Sequence, residues 1–254
     1  MTGVRRLVAC LALAAGTASC IELSVDPDAL SSIEFLPPTS PSIVMGDVLR
    51  DTLGAPERLR ARAFAADGDE LPDLPFTFVA TDTLVRIAED NQVRAGATPG
   101  TARIYASVPG LQSAPRSLEV IRQPDAIAAN GKAVDTLRVA VPTTGSRVDS
   151  STTVGVVVRA GNVPVNAVRV KFELWRNGTV VAPTDTAHYV LAGSNGRVSV
   201  VDTTDGSGIA SRTLRVRVTA GTTPADSLEI RAIATGLPSP LVRPLTILIR
   251  PAAP

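Results

Sequence analysis

His188 is the only histidine in the chain, so a Ser-His-Asp triad or a histidine-ligated metal would have to be built on it. It stands in the strand-like run His188-Tyr189-Val190-Leu191, where alternation sets it on the face opposite Tyr189 and Leu191. That is a solvated strand position, and no triad geometry is suggested around it. There is no Cys-x-x-Cys pair, which with a single histidine makes zinc improbable. Carboxylates gather at Asp67-Gly68-Asp69-Glu70 and at Asp202-Thr203-Thr204-Asp205, but neither has the spacing of an EF-hand loop. Asx-turns account for both, and calcium in one of these loops stays open. No P-loop, dinucleotide fingerprint or G-x-S-x-G motif is present. The expectation is a protein without catalysis, metal or cofactor.

Two features point instead to non-covalent binding. In Val168-Arg169-Val170-Lys171-Phe172-Glu173-Leu174 the even positions are apolar and the odd ones charged, so Trp175 falls on the polar face beside the Asn177-Gly178 turn. An exposed tryptophan there would be an interface anchor or a sugar platform. The competing reading is a cross-strand contact with Val180, which a two-residue hairpin places opposite. Arg58, Arg60 and Arg62 form the second feature, a guanidinium stripe able to hold a polyanionic glycan or a lipid phosphate by bidentate contacts. Its competing reading is a solvated sheet face balanced by acids such as Asp51 and Glu57.

Both features need strands to position them, and period-two alternation dominates the chain. Leu59 to Ala63, Leu214 to Val218 and Leu228 to Ala232 repeat the pattern seen before Trp175. Each puts apolar side chains on one face and charges on the other, as antiparallel sheets with one wet face require. Asp67-Gly68, Pro99-Gly100, Asn177-Gly178, Asn195-Gly196 and Asp205-Gly206 punctuate the strands. Asn-Gly favours the type I′ turn of a tight hairpin. The fold class predicted is all-β, as sandwiches. Aromatic residues are only 3% of the chain, so the cores must be built from Val, Ile, Leu and Ala.

The N-terminus carries an address. Arg5 and Arg6 precede the apolar run Leu7 to Ala15 and the small residues Gly16-Thr17-Ala18-Ser19, the layout of a secretory signal. That run is too short to cross a bilayer, which takes roughly 20 residues. Thr17-Ala18-Ser19-Cys20 resembles the bacterial lipobox, with Thr17 where that pattern usually has Leu. The resemblance implies that Cys20 becomes an acylated first residue and that two or three acyl chains anchor the protein in a membrane. Ordinary cleavage, for example after Ala18, is the alternative. Cys10 leaves with the signal, so the exported chain has one cysteine and no internal disulfide. Without Arg5 and Arg6, 23 basic residues face 24 acidic ones. With no basic tail, nucleic acid is excluded as an expected partner. Ile21 and Glu22 follow Cys20, so the Asp that marks inner-membrane retention in some bacteria is absent and the outer membrane is expected.

The organisation expected is a signal over residues 1–19, a tether from Cys20 to residue 31, a domain over 32–122, a linker over 123–134 and a domain over 135–254. Pro124 and Asn130-Gly131 interrupt any ladder in the linker, which is short enough to restrict inter-domain motion. Phe76-Thr77-Phe78, Asn91-Gln92-Val93-Arg94-Ala95 and Gly100-Thr101-Ala102-Arg103-Ile104-Tyr105-Ala106 resemble bacterial immunoglobulin-like domains of group 2, with Phe78 where that family usually has Trp. Gly161 to Phe172 and Thr204-Asp205-Gly206-Ser207-Gly208-Ile209-Ala210 resemble group 1, the invasin and intimin type. The resemblance implies tandem immunoglobulin-like sandwiches on a lipid-anchored envelope protein that works in adhesion or envelope scaffolding. Its partners would be a protein or glycan of the envelope or of a neighbouring surface. The alternative is a carbohydrate-binding or accessory module of an envelope or polysaccharide system.

Overall fold

The computed structural model describes residues 29–145, 147–220 and 225–252, and none of these is helical. In chain order the first strands are β1 (Leu30–Phe35), β2 (Ser42–Val44), β3 (Ala61–Ala65), β4 (Glu70–Leu71) and β5 (Thr77–Ala80). Next come β6 (Val85–Ile87), β7 (Val93–Ala95), β8 (Gly100–Val108), β9 (Leu111–Gln112) and β10 (Arg116–Ile121). They are followed by β11 (Ala126–Ala129), β12 (Val134–Val139), β13 (Arg147–Ala160), β14 (Val163–Pro164) and β15 (Arg169–Arg176). The last are β16 (Thr179–Val180), β17 (Tyr189–Ala192), β18 (Val201–Thr203), β19 (Ile209–Thr219), β20 (Asp226–Thr235) and β21 (Leu241–Pro251).

Strands β1 to β10 form ladders only with one another, and so do β11 to β21. In the first group a β1-β3-β4 sheet packs on a β2-β10-β8-β5 sheet, and β6 and β7 form a separate hairpin. The two sheets meet where the Phe35 and Phe78 rings lie 5.4 Å apart, inside a core otherwise made of aliphatic residues such as Ile43, Ile104 and Val120. In the second group a β11-β13-β19-β17 sheet packs on a β12-β21-β20-β15-β16 sheet, with β18 also on β15. Phe172, Leu214, Leu228 and Ile230 are fully buried between them. Both units are immunoglobulin-like β-sandwiches.

Alternation explains most of this burial. In β15 Val170, Phe172 and Leu174 are buried while Arg169, Lys171, Glu173 and Trp175 face outward. Strand β19 breaks the rule once. Arg212 occupies the inward phase between Ala210 and Leu214 and is buried. Its Nη1 donates to the Ser211 carbonyl at 2.7 Å and lies 3.1 Å from Asp202 Oδ2 on β18 of the facing sheet. The same carboxylate oxygen accepts the Ser211 amide at 2.7 Å. A charge in a sandwich interior needs such a partner, because an unpaired one would carry a large desolvation cost.

Two expected boundaries move. Residues 123–134, read as a linker, hold β11, which pairs antiparallel with β13 from Ala126↔Arg159 to Ala129↔Val156. Pro124 cannot donate to a ladder, but the short run after it can, and it takes an edge position. The tether also ends earlier than residue 31, since Leu30 already pairs with Ala65 in β1.

The sandwiches meet end to end. Val44 and Ile121 of the first join the core cluster of the second, which includes Leu237 and Val165. Arg169 Nη1 donates to the Thr39 carbonyl at 2.7 Å. Thr39 is itself held by Glu57, to which its hydroxyl donates at 2.7 Å and its amide at 3.1 Å. Gly236 has φ +75, and a Cβ there would stand 2.6 Å from Ser40 Oγ. Only glycine allows both that backbone conformation and that approach.

Candidate functional site

Trp175 sits where alternation puts it, on the outer face of β15, half-buried. Asn177 and Gly178 have φ of 49° and 76°, the two positive values a type I′ turn needs, and the hairpin pairs Trp175 with Val180. The cross-strand contact is therefore present. The ring has further partners. Across the β15–β20 ladder Arg231 stacks its guanidinium 3.8 Å from the indole centroid. The indole Nε1 donates to Glu173 Oε2 at 3.3 Å. Glu173 also accepts Lys171 Nζ at 2.8 Å, and the lysine bond holds its carboxyl below the ordinary range despite partial burial. Arg231 completes the row with Glu229 at 2.5 Å. Trp175 is thus one member of a charged lattice, with a ring face already occupied.

The arginine stripe is less regular than its spacing. Only Arg62 lies in β3, and Arg58 belongs to a preceding segment bridged to Gln92. Arg58 lies 3.2 Å from Asp90 and Arg62 lies 3.7 Å from Glu70. Asp51 and Glu57 are committed elsewhere: Asp51 accepts the Leu53 and Ala55 amides, and Glu57 holds Thr39. The Arg60 side chain has no ion pair among the described residues. It lies between two open concavities of about 530 and 580 Å³. Acids meet two of the three guanidiniums, so the surface is mixed in sign rather than a positive patch.

The residues with chemical potential stay apart. His188 is exposed in the bend before β17, and its carbonyl accepts the Arg217 amide at 2.8 Å. Asp67 Oδ1 accepts the Asp69 amide at 3.0 Å, and Asp205 Oδ1 accepts the Ser207 and Ile209 amides at 2.8 and 3.0 Å. These are Asx-turns. Among the described residues no three acids, histidines or cysteines converge on a metal-sized site. Cys20, the expected lipidation site, lies outside the described residues.

Sequence reasoning missed a crevice of about 100 Å³ on the flank of the second sandwich. Val181 and Val200 leave the outer edge of β15 in opposite directions, their backbones bonded to Leu174 and Phe172. The notch between them opens onto Phe172 and Leu191, with Val180 and Val198 about half exposed at its mouth. Its only signal was a set of valines in segments that read as turns. Tyr189 borders it, and its hydroxyl donates to Asp226 at 2.6 Å.

No family model matches the sequence, and no curated protein matches it. Several solved structures are similar in shape. The adhesin InvE of Yersinia pseudotuberculosis is 16% identical with a TM-score of 0.33, over 87% of this chain and 60% of that one. The endo-fucoidan hydrolase MfFcnA9 of glycoside hydrolase family 107 is 15% identical with a TM-score of 0.35, over 87% of this chain and 34% of that one. The fibronectin(III)-like modules of Clostridium thermocellum CbhA are 13% identical with a TM-score of 0.30, over 87% and 95%. This chain therefore spans less than two thirds of the InvE and MfFcnA9 chains. At such identities and scores none of these likenesses bears on what the chain binds, and the immunoglobulin-like sandwich fold rests on the ladders themselves.

Proposed function

We propose that this chain is a non-catalytic, lipid-anchored protein of the bacterial cell envelope, in which two immunoglobulin-like sandwiches hold a binding surface away from the membrane for adhesion or envelope scaffolding. The observation that carries the reading is the packed joint, with Val44 and Ile121 inside the core cluster of the second sandwich. A joint of that kind makes a stiff spacer rather than two beads on a string, and stiffness is what presenting a surface at a fixed distance demands. The signal-like N-terminus and the lipobox-like run ending at Cys20 support anchoring, with the outer membrane as the expected site. Arg231 stacked on one face of the Trp175 ring weighs against a sugar platform at that residue.

The anchor is tested by detergent phase partition and by mass spectrometry of the mature N-terminus. Wild type should enter the detergent phase with a lipid-modified Cys20, and Cys20→Ser should be exported, folded and soluble. A soluble wild type, or a different mature N-terminus, overturns the anchored reading. Crosslinking in intact envelopes then identifies the partner.

A further inference from the structure

The crevice on the flank of the second sandwich lies between the outer edges of two strands from opposite sheets, β15 and β17. In an antiparallel ladder a residue turns its amide and its carbonyl toward the same neighbour. Leu174 turns both away from β20 and toward the crevice, since its carbonyl accepts the Val181 amide at 2.8 Å. Its own amide has no acceptor among the described residues. Leu191 on β17 repeats the arrangement. Its carbonyl accepts the Ser199 amide at 3.0 Å, and its amide too has no acceptor among the described residues. In each case the segment that bonds to the carbonyl peels away before it can return the second bond.

Leu174 and Leu191 are only 5% and 4% exposed. A nearly buried amide without an acceptor is rare and costly in a folded protein, so two of them bordering one crevice mark a place that lacks carbonyl oxygens. The side chains there leave no polar group free. Lys171 and Glu173 on the rim are bonded to each other at 2.8 Å, and the Tyr189 hydroxyl is committed to Asp226. The rest of the lining is apolar, with Val181, Val198 and Val200 around the notch. At about 100 Å³ it is smaller than the roughly 150 Å³ cavity that holds a benzene ring, so it takes one branched aliphatic side chain and not a sugar ring.

We infer that this crevice is a partner-binding surface and that its ligand is an extended peptide segment of another protein. The segment seats one Val, Ile or Leu side chain in the notch and offers main-chain carbonyls to the Leu174 and Leu191 amides. Recognition through an unpaired strand edge plus a pocket for one side chain suits a peptide, whose backbone supplies acceptors whatever its sequence. A glycan would need the side-chain donors and free aromatic faces that the crevice does not offer. The inference deepens the non-catalytic binding reading proposed above and rests on it, but not on the lipid anchor.

Amide-resolved nuclear magnetic resonance on the full exported chain, made soluble by Cys20→Ser, tests it. Without ligand, the Leu174 and Leu191 amides should exchange with solvent faster than the Phe172 amide, which is bonded to the Val200 carbonyl at 2.7 Å. The probe is the capped peptide acetyl-Thr-Thr-Val-Thr-Thr-amide, compared with the same peptide carrying Gly for Val and with maltohexaose. The Val peptide should move the Leu174 and Leu191 amide protons downfield and slow their exchange, and the Gly peptide should not. Val198→Trp puts a large ring at the half-exposed mouth and should abolish the response while leaving the β13–β19 amides unmoved. Three results overturn the inference: Leu174 and Leu191 as protected as Phe172 before any peptide is added, equal responses to the Val and Gly peptides or none to either, and a response to maltohexaose in place of the peptide. Any of these leaves the anchored-spacer reading standing, and a wild type that fails detergent partition leaves the crevice untouched.

Discussion

Tyr189 and Asp226, 37 residues apart, tie the two sheets of the second sandwich together through a 2.6 Å hydrogen bond from the phenol to Oδ2. Arg176 Nε reaches the same oxygen at 2.6 Å, and its guanidinium carbon lies 5.4 Å from the Tyr189 ring centroid. Burial, followed by the bond to Asp226 and its charge, pushes the phenol up to about 12. The neutral form is the favoured one, so its contribution to stability is full below about pH 10, the unfolded value, and is lost as pH rises through the folded one. Tyr105 is the other tyrosine, so Tyr105→Phe leaves Tyr189 as the sole titrating phenol. Its ultraviolet titration should have a midpoint near 12, and a midpoint near 10 would mean the inter-sheet bond does not form.

Acid should act through three carboxyls. Burial pushes Asp226 up, but bonds from Tyr189 and the Ser227 amide and the charge of Arg176 outweigh it and hold it below the usual range. The bond to Arg50 holds Asp47 low, as the Lys171 bond does Glu173. Groups depressed on folding contribute stability that is present above about pH 4 and lost as pH falls through their folded values. Urea midpoints measured from pH 7 downward should fall in that window. Asp226→Asn should show a shallower fall than wild type.

Phe172 and Trp175 stand three residues apart on opposite faces of β15. Phe172 is 0% exposed, so Phe172→Ala should cost about 3–5 kcal/mol through lost burial and a cavity its neighbours only partly fill. Phe78→Ala belongs to the same class, since Phe78 packs against Phe35 in the first core. Trp175→Ala removes a half-wet ring and leaves no sealed void, so its cost should be smaller. Denaturation of the single variants decides the ranking, and equal losses would make Trp175 a core residue.

The joint should be felt in stability as well as in shape. Gly236→Val forces a side chain against Ser40 and asks a β-branched residue to take φ +75. Small-angle scattering should show a broader range of inter-domain orientations for this variant. Cut away from the first sandwich, residues 123–254 should still give a β-rich circular dichroism spectrum. Their urea midpoint should be lower than within the whole chain, because Leu237 and Val165 lose the cover of Val44 and Ile121. An unchanged midpoint would mean that the joint contributes nothing.

What the sequence discloses is local. The β15 alternation, the Asn177-Gly178 hairpin and the Trp175–Val180 pair could be read from residues a few positions apart, because side-chain period and turn chemistry are local constraints. The edge strand β11 was hidden because Ala126 to Ala129 is short and follows Pro124, and only its partner β13 makes it a strand. The Tyr189–Asp226 bond and the Val44–Ile121–Leu237 packing depend on which strands become neighbours. Alternation within a strand carries no information on that. The arginine stripe looked regular for the same reason: spacing gave the common face of Arg58, Arg60 and Arg62, but not the acids that meet two of them.

The buried Arg212 also makes the alignment of β19 a question with one answer. A slip by a single residue would turn Arg215 and Arg217 inward, with no Asp202 to receive them, and turn Leu214 and Val216 out to water. An all-aliphatic inner face would mark a shift by two residues less sharply, since the same set of side chains still points inward. With Arg212 in that row, a two-residue shift parts the guanidinium from its carboxylate and leaves both charges without a mate. The ion pair therefore acts on misaligned forms of the strand more than on the aligned one, raising their energy and leaving a single register open to the chain.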